Sequence, residues 1–386
     1  MTSRRWIAAA TAAAAIVAGL GTVVGLNLHW LHLAVPAATP RPGQVGTNAH
    51  PAVYVHYYMW WTSQHWRDKL GPAYPFGSAS LPIPGQLDSD GCNPKGFYSG
   101  TQIVDLPSEG LYDQSQATTF EHHVDLASRA GLKGFLVSWQ GTGTSTQGPE
   151  SSGYNSRLDL LVTTVDAYNA AHGTAFGLGL AFAAFGNYNR PARQITADLT
   201  YFYKRYGADP AFRTAYDSKP MVMWLDSRKY SRSTIEAVSR AVQPHVYLLG
   251  DETAQSWPND GQFFDGTSYY WSTENPWKNP AAGAAIAQLA DMVRNDGKTW
   301  FAPFIAGYNK QLLGGSCVPR NGTETLTQIW ELNGATHPDG WFGISWNELV
   351  ENTYLEPSRL YGSRYLDALS ALIRGTAIAT PSTTTP

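Results

Sequence analysis

Eight short segments of this chain are apolar throughout, and their spacing is what most constrains the fold. Each is bounded by Gly, Pro or Asp, and none shows the polar–apolar alternation of a half-exposed strand. Continuous apolar runs of this length are typical of strands that are buried on both faces. The predicted strands are 52–58, 134–139, 176–182, 220–225, 246–249, 264–270, 300–305 and 341–346.

Helix-like stretches alternate with these strands. In 116–130 the apolar residues recur on one face, and Gly131 follows where a C-cap glycine belongs. Eight β-then-α units in about 320 residues predict an α/β fold, a single (β/α)8 TIM barrel over 51–374. A long insertion, 61–109, follows the first strand. A doubly wound sheet is the alternative, but no Gly-rich phosphate loop follows any strand. Further helices are predicted to open at Ser231, Pro280 and Pro357.

The two ends of the chain differ in composition from the rest. Arg4 and Arg5 precede a long apolar run, so residues 1–37 are predicted to be a signal peptide or an N-terminal membrane anchor. Residues 38–50 are predicted to be a linker and 375–386 a disordered tail. We therefore expect a secreted or extracellular protein, either free or held by an uncleaved N-terminal helix.

Composition narrows the class of partner. The net charge is −3 and no basic block follows the N-terminal arginines, so nucleic acid is not indicated. Aromatic residues make up 13% of the chain, and Trp and Tyr offer flat amphipathic faces that stack on sugar rings. Cys92 and Cys317 predict one disulfide in an exported chain. No Cys/His spacing indicates zinc, and we expect a monomer with no metal and no cofactor.

Acidic residues follow the last predicted strand, at the end of the barrel where active sites of this fold lie. Asn347, Glu348, Glu351 and Glu356 come directly after an apolar run, and carboxylates beside an apolar core normally occupy a polar cleft. Glu348 and Glu351 are close enough to converge on one site, and glycoside hydrolysis commonly uses two carboxyl groups. Glu356 directly precedes a proline, so a role at a helix start is its alternative.

Aromatic and polar residues at the other strand ends, and in the first insertion, are candidate substrate contacts. Asp251 and Glu252 form a second acid pair, which we consider the weaker catalytic candidate. Trp139 and Tyr308 have packing at the barrel mouth as their alternative role, and Asp226 has structural ion pairing. The candidate contacts are Tyr58, Trp60, His65, Trp66, Trp139, Asp226, Trp271, Tyr308 and Trp346.

Several segments together resemble glycoside hydrolase family 99 and the wider group of family 71/99-like domains. Residues 347–356 are similar to the family signature Asn-Glu-Trp-x-Glu-Gly-Thr-x-x-Glu, with the three acids at the same spacing. The resemblance covers about residues 52–370. The other matching pieces are His65-Trp66, Gly110-Leu111-Tyr112, Glu121, His123, Ala130-Gly131, Val137-Ser138-Trp139, Lys219-Pro220, Asp226-Ser227, Phe264-Asp265-Gly266 and Gly307-Tyr308.

The chain departs from the family pattern at three places. Leu349 and Asn352 stand where the family commonly has Trp and Gly. The run 181–186 carries no acid, although the family has a carboxylate after its third strand. These departures bear on the substrate more than on the chemistry.

The resemblance implies a (β/α)8 retaining endo-α-mannosidase that works through a 1,2-anhydro sugar. It implies that Glu348 takes the proton of the sugar 2-hydroxyl, and that Glu351 protonates the leaving oxygen and then activates water. It also implies that Tyr112, His123 and Glu356 contact substrate, although His123 lies in a predicted helix and has a structural role as its alternative. Glu351 would then need a raised pKa, which a neighbouring Glu348 charge would supply.

We therefore predict an exported, retaining, endo-acting α-glycoside hydrolase of an α-linked, mannan-like polysaccharide or glycan. An α-1,3-glucanase-like hydrolase is one alternative, because the acid after the third strand is missing. A non-catalytic glycan-binding protein on the same scaffold is another, against which the three retained glutamates argue. A barrel associated with glycosyl transfer is a third, and the predicted export argues against it.

Overall fold

A computed structural model describes residues 51–71, 74, 92, 103–142, 153–183, 190–213, 218–270, 274–276, 278–279 and 281–378. The predicted signal or anchor segment, the linker, most of the tail and Trp271 lie outside these residues. Within the described ranges, no helix is both long and apolar enough to cross a membrane.

Eight parallel strands close into a barrel, which confirms the predicted fold. Each strand pairs with its neighbour in the chain, and the last pairs with the first, as Ala52 opposite Gly340 shows. An antiparallel pair of short strands, β8 (Tyr308–Asn309) and β9 (Cys317–Val318), follows the seventh barrel strand. The barrel strands are β1 (Ala52–Tyr57), β2 (Gly134–Trp139), β3 (Gly177–Phe182), β4 (Met221–Trp224), β5 (Tyr247–Asp251), β6 (Gly266–Ser268), β7 (Thr299–Ile305) and β10 (Gly340–Ile344).

Helices surround the barrel where the sequence pattern places them. Gly131 has φ 94° and ends the first long helix, and the Ser231 hydroxyl accepts the Thr234 amide at the start of another, as predicted. The helices are α1 (Ser63–Leu70), α2 (Ala117–Ala130), α3 (Tyr154–His172), α4 (Ala192–Tyr206), α5 (Arg232–Val242), α6 (Trp257–Asp260), α7 (Ala281–Asn295), α8 (Glu324–Gly334) and α9 (Arg364–Arg374).

The predicted start of the last helix is wrong. Helix α9 begins at Arg364, seven residues after Pro357. The backbone of Ser358 instead forms isolated bridges with Pro107 and with Gly362, so these residues make a turn that the first-strand insertion holds in place.

The barrel interior is filled by side chains, so a substrate site must lie at its mouth. Side chains alternate between the two faces of a strand. In β2, Leu136 packs inside the barrel, while Phe135 and Val137 pack in the larger cluster that also holds the helix residues. Tyr54, Phe301 and Phe342 belong to the interior cluster with Leu136.

A disulfide joins Cys92 of the first-strand insertion to Cys317 of β9, as the sequence analysis predicts. The two residues are 225 positions apart. Because β9 pairs with β8 directly after the end of β7, the disulfide fixes the insertion to a hairpin at the barrel mouth. The hairpin comprises residues 308–318.

Candidate active site

The acids lie on a buried loop that follows β10, residues 345–356, here called the acid loop. The loop folds back on itself: the Ser345 amide donates to Thr353 O (3.1 Å) and the Leu355 amide to Trp346 O (3.0 Å). It is also bonded to the segment after β1. Asn347 accepts the Tyr58 amide on Oδ1 (2.8 Å) and donates to Tyr58 O (2.9 Å). These contacts fix where the carboxyl groups point.

Glu348 is the buried member of the acid pair, with an exposed fraction of 4%. Its Oε1 accepts the amides of Val350 (2.9 Å) and Glu351 (3.3 Å), and its own amide donates to Ser345 Oγ (2.8 Å). Burial, followed by the nearby charge of Glu351, raises the pKa of Glu348 to about 8. Glu348 therefore holds a proton more readily than an exposed glutamate does.

Glu351 is more open and is ion-paired. Lys310 Nζ of the hairpin lies 2.9 Å from Glu351 Oε1, and the Asn309 amide donates to Glu351 O (2.8 Å). The sequence analysis placed the proton of the pair on Glu351. In the structure Glu348 is the carboxyl whose pKa burial raises, while Glu351 faces a cation.

Aromatic side chains line the same side of the mouth. The hydroxyls of Tyr58 and Tyr270 are 2.6 Å apart. Trp60 stacks on Tyr58 with ring centroids 4.4 Å apart, and its ring is also parallel to that of His65 at 5.7 Å. Burial and then the charges of Glu348 and Glu351 raise the pKa of Tyr58 well above its usual range, so this wall adjoins the acid pair. Tyr308, whose pKa is raised by burial and then by Glu351, adjoins the pair from the hairpin.

A buried, hydrogen-bonded layer contains His123 and Glu356, the last residue of the acid loop. The Tyr112 hydroxyl donates to Glu356 Oε1 (3.2 Å) and accepts from Asn347 Nδ2 (3.3 Å). His123 Nδ1 contacts the Tyr57 hydroxyl (2.7 Å), and His123 Nε2 lies 3.5 Å from Glu356 Oε2. Both side chains are buried, and their hydrogen bonds help to fix the conformation of the acid loop.

The same layer holds the group of side chains best suited to a metal ion among the described residues. One donor atom from each of Glu109, His123 and Glu356 lies within 4.8 Å of the others. His123 Nε2 is hydrogen-bonded to Glu109 Oε1, so imidazole and carboxylate satisfy each other. In the pair of Glu348 and Glu351, the positive charge that faces Glu351 is the ammonium group of Lys310.

Three predicted tryptophan contacts are packed away from the mouth. Trp139 is fully buried, donates to Asn155 Oδ1 of α3 (2.9 Å) and stacks parallel to Tyr201 of α4. Trp66 stacks on Trp61 and donates to Tyr112 O (2.7 Å). Trp346 is also fully buried, with its ring centroid 5.3 Å from that of Phe135 and 5.7 Å from that of His123.

The second acid pair divides between two environments. Asp251 is buried and accepts Arg228 Nη1 (2.7 Å) and the Asp226 amide (2.8 Å), so it fixes the turn after β4. Asp226 itself has φ 56° and pairs with Arg228 Nη2 (3.1 Å). Glu252 bonds to the Ser227 hydroxyl (2.5 Å), and burial raises its pKa to about 7. These groups bond to the strand ends of β4 and β5 rather than to the Glu348 pair.

Sequence reasoning missed four residues that shape this site: Lys310, Tyr270, Gln114 and Arg320. Lys310 lies two residues after Tyr308, a predicted contact, so a slightly longer predicted site at this strand end would have included it. Gln114 is fully buried, and its amide donates to Tyr58 O (2.7 Å) and accepts the Trp61 amide (2.8 Å). No local pattern singles it out.

Arg320 anchors the acid loop from the hairpin side. Its Nη2 donates to the carbonyls of Asn352 (2.9 Å) and Tyr354 (3.0 Å). Its guanidinium carbon lies 4.7, 5.1 and 4.2 Å from the ring centroids of Tyr354, Tyr361 and Tyr365. The side chain is 3% exposed, so these interactions are scarcely screened.

Replacing Arg320 with methionine is expected to lower the free energy of unfolding by about 3 kcal/mol, since hydrogen bonds from a charged group contribute about 1.5–3 kcal/mol each. Denaturant unfolding measures this loss. Arg240→Met is the matched control, because Arg240 is exposed in α5 and pairs with Glu236 one turn away. Equal unfolding midpoints for the two variants would contradict the anchoring role.

The fold is shared with solved glycoside hydrolase structures. A GH99 endo-alpha-mannosidase from Bacteroides thetaiotaomicron, in complex with BIS-TRIS-propane, superimposes with a TM-score of 0.64 at 16% identity, covering 84% of this chain and 97% of that one. A second structure of a GH99 endo-alpha-mannosidase from the same organism gives a TM-score of 0.60 at 17% identity, covering 84% and 96%. A glycoside hydrolase-like protein gives 0.59 at 14% identity, covering 87% and 97%.

At these identities the comparisons establish a common architecture. No protein-family model matches the chain. No curated protein matches it either. The structural similarity agrees with the fold that the sequence resemblance implies, and the chemistry must be argued from the site.

Proposed function

We propose that the protein is a glycoside hydrolase that cleaves an α-linked polysaccharide or glycan through Glu348 and Glu351. One observation carries this proposal: a buried carboxyl whose pKa is raised by burial adjoins a more open, lysine-paired carboxyl at the mouth of the barrel. Acid–base cleavage of a glycoside needs one protonated and one ionised carboxyl. The similarity of the fold to two endo-alpha-mannosidase structures supports an α-mannan-like substrate for this protein.

In the proposed retaining reaction one carboxylate removes the proton of the sugar 2-hydroxyl, whose oxygen attacks the anomeric carbon. The bond from that carbon to the leaving oxygen breaks, and the other carboxyl delivers its proton to the leaving oxygen. Water then opens the 1,2-anhydro ring at the anomeric carbon, and the two carboxyls exchange protons in reverse. Two displacements at one carbon restore its configuration.

We assign the base role to Glu348 and the acid role to Glu351. We assign the pair one shared proton in the free protein, and the raised pKa of Glu348 draws it to that carboxyl. Because the two carboxyls interact, that proton belongs to the pair and is redistributed when a sugar enters and desolvates Glu351. The more open position of Glu351 favours contact with the leaving oxygen of an endo-cleaved chain.

The aromatic wall supplies the sugar contacts in this proposal. Trp60 is partly exposed and stacks on Tyr58, and we assign the exposed part of its ring to contact with a pyranose ring. His65 lies beside Trp60, and burial lowers its pKa to about 3, which keeps it a neutral hydrogen-bonding group. Tyr270 and Tyr308 complete the wall next to the carboxyl groups.

Export and a monomeric state complete the proposal. The Arg4-Arg5 segment with its apolar run supports export, with the bulk of the chain outside the cell. The disulfide between Cys92 and Cys317 supports it independently, because such bonds persist in oxidising compartments. Whether the N-terminal segment stays as an anchor can be tested by N-terminal sequencing of the exported protein.

The testing experiment is product release from α-mannans, α-glucans and bacterial cell-wall polysaccharides by wild type and by Glu348→Gln. We expect wild type to release oligosaccharides from one polymer, and Glu348→Gln to release at least about 10²-fold less. Products of an endo-acting enzyme begin as a ladder of sizes. Retention of wild type on a polymer without cleavage would contradict the hydrolase proposal and favour a glycan-binding protein.

An α-1,3-glucanase-like activity is the second candidate, and one observation favours it. The third strand ends in Phe182 and Ala183, both buried, with no acid where family 99 has one. A site without that carboxylate lacks one partner for sugar hydroxyls. Cleavage of an α-1,3-glucan and not of α-mannan in the same panel would decide for this alternative.

A further inference from the structure

We infer that Lys310 is a positioning residue that sets the pH range over which the Glu348–Glu351 pair holds a single proton. This inference rests on the proposed function, since it concerns the same pair of carboxyl groups. The hairpin after β7 would then take part in the chemistry, in addition to forming the edge of the cleft.

The first support is the contact itself. Lys310 Nζ lies 2.9 Å from Glu351 Oε1, which is hydrogen-bonding distance for a charged pair. The two side chains are 36% and 23% exposed, so solvent screens the interaction only in part. A cation at this distance stabilises the ionised carboxylate and thereby lowers its affinity for a proton.

The second support is that hydrogen bonds fix the backbone at Lys310 relative to Glu351. The Lys310 amide donates to Ser316 O (3.1 Å) across the hairpin, and the neighbouring Asn309 amide donates to Glu351 O (2.8 Å). Asn352 Nδ2 donates to Asn309 O (2.6 Å), so the acid loop and the hairpin are bonded in both directions. The disulfide at Cys317 ties the second strand of the hairpin to the insertion. Lys310 thus differs from an exposed lysine whose ion pair forms and breaks freely.

The third support is the set of groups that act on Glu351. They come from four elements: the acid loop, the segment after β1, the segment after β6, and the hairpin. Among the described residues that act on Glu351, Lys310 is the one with a positive charge, while the carboxyl and phenol groups can only become negative. The titratable groups that interact electrostatically with Glu351 are Glu348, Tyr58, Tyr270, Tyr308 and Lys310.

The expected direction follows from these charges. Lys310 also lowers the pKa of Glu348, against the larger raising effects of burial and of Glu351. Removing the ammonium group therefore makes both carboxyls of the pair easier to protonate. The pair then gains its first proton and its second proton at higher pH. The acidic and the alkaline limb of the activity profile must both move to higher pH, each by about one unit for a partly screened neighbouring charge.

The experiment measures kcat/KM against pH on the polymer that wild type cleaves, for wild type, Lys310→Met and Lys310→Arg. Lys204→Met is the control, because Lys204 is an exposed lysine of α4 and its loss changes the net charge equally. We expect both limbs to move up by about one pH unit in Lys310→Met, to stay near wild type in Lys310→Arg, and to stay unchanged in Lys204→Met. A uniform loss of kcat/KM with unmoved limbs would overturn the inference, since a purely structural lysine would produce it.

A direct titration separates this inference from the proposed function. Carbon-13 NMR of protein labelled at the glutamate side-chain carboxyl follows each carboxyl through pH without any substrate, and the spectrum of Glu351→Gln identifies the Glu351 signal. A higher titration midpoint for Glu351 in Lys310→Met supports the inference, and an unchanged midpoint overturns it. If wild type cleaves no polymer, the proposed function fails while the titration still decides the role of Lys310.

Discussion

Replacing Glu351 with glutamine is expected to lower kcat on the natural polysaccharide by about 10²–10⁴-fold, which is the usual contribution of a general acid. The amide keeps the size and the contact with the hairpin, but it cannot deliver a proton to the leaving oxygen. Binding should remain nearly intact, because the aromatic wall of Tyr58, Trp60 and His65 is unchanged. Rates of product release, together with calorimetric titration of an oligosaccharide, measure the two effects separately.

A glycosyl fluoride of the cleaved sugar sharpens this test, since fluoride leaves without a proton. Glu351→Gln should release the first equivalent of fluoride at a rate near that of wild type and then turn over slowly, because the water step still needs the Glu351 base. Glu348→Gln should lose activity on both substrates. Glu324→Gln is the matched control, because Glu324 is an exposed glutamate at the start of α8. The reverse pattern, with the fluoride cleaved by Glu348→Gln only, would contradict the assigned roles and give the acid role to Glu348. Full activity of Glu351→Gln on the polysaccharide would refute the site.

Removing the disulfide with the paired change Cys92→Ser and Cys317→Ser is expected to lower the free energy of unfolding by about 5 kcal/mol, from the chain-entropy cost of opening so long a loop. The loop has this length because the cysteines are 225 residues apart. Equilibrium unfolding in denaturant, with the free energy extrapolated to water, measures the change. Wild type in a reducing agent should approach the same stability as the double variant.

The single variant Cys92→Ser controls for the serine substitution, and it should lose as much stability as the double variant because either change removes the bond. A stability loss confined to the reduced protein, with the double variant as stable as oxidised wild type, would mean that free thiols rather than the lost bond cause the effect. Equal stability of all forms would show that the insertion and the hairpin stay docked without the bond.

The barrel could be predicted from the sequence because its strands are buried on both faces. Segments such as 134–139, in which Ser138 is the one polar side chain, show no alternation, and that pattern can be recognised even where the ends of the strand are misplaced. The start of the last helix could not be predicted in the same way. A proline such as Pro357 often begins a helix. Here the pairing of Ser358 with Pro107, some 250 residues earlier, holds the segment in a turn instead.

The acid pair could be predicted because both carboxyls lie on one continuous stretch. The contact of Lys310 with Glu351 could not, because it joins residues 41 apart and depends on how the hairpin docks. The packing of Trp139 against helix residues could not be predicted from the sequence for a related reason. Since apolar side chains stand on both faces of β2, no alternation reveals which face points into the barrel, and the inward direction of Leu136 is known only from the structure.

The hydrogen bonds between Tyr58 and Asn347 join residues that are 289 positions apart, just after the two strands that close the barrel. Tyr58, Trp60 and His65 of the aromatic wall therefore come from the beginning of the folded domain, and the carboxyls come from its end. As the chain is synthesised, neither half of the cleft has its partner until β10 emerges and pairs with β1. A partly made chain has no hydrolytic centre, so the order of synthesis itself delays the appearance of activity until the domain is whole.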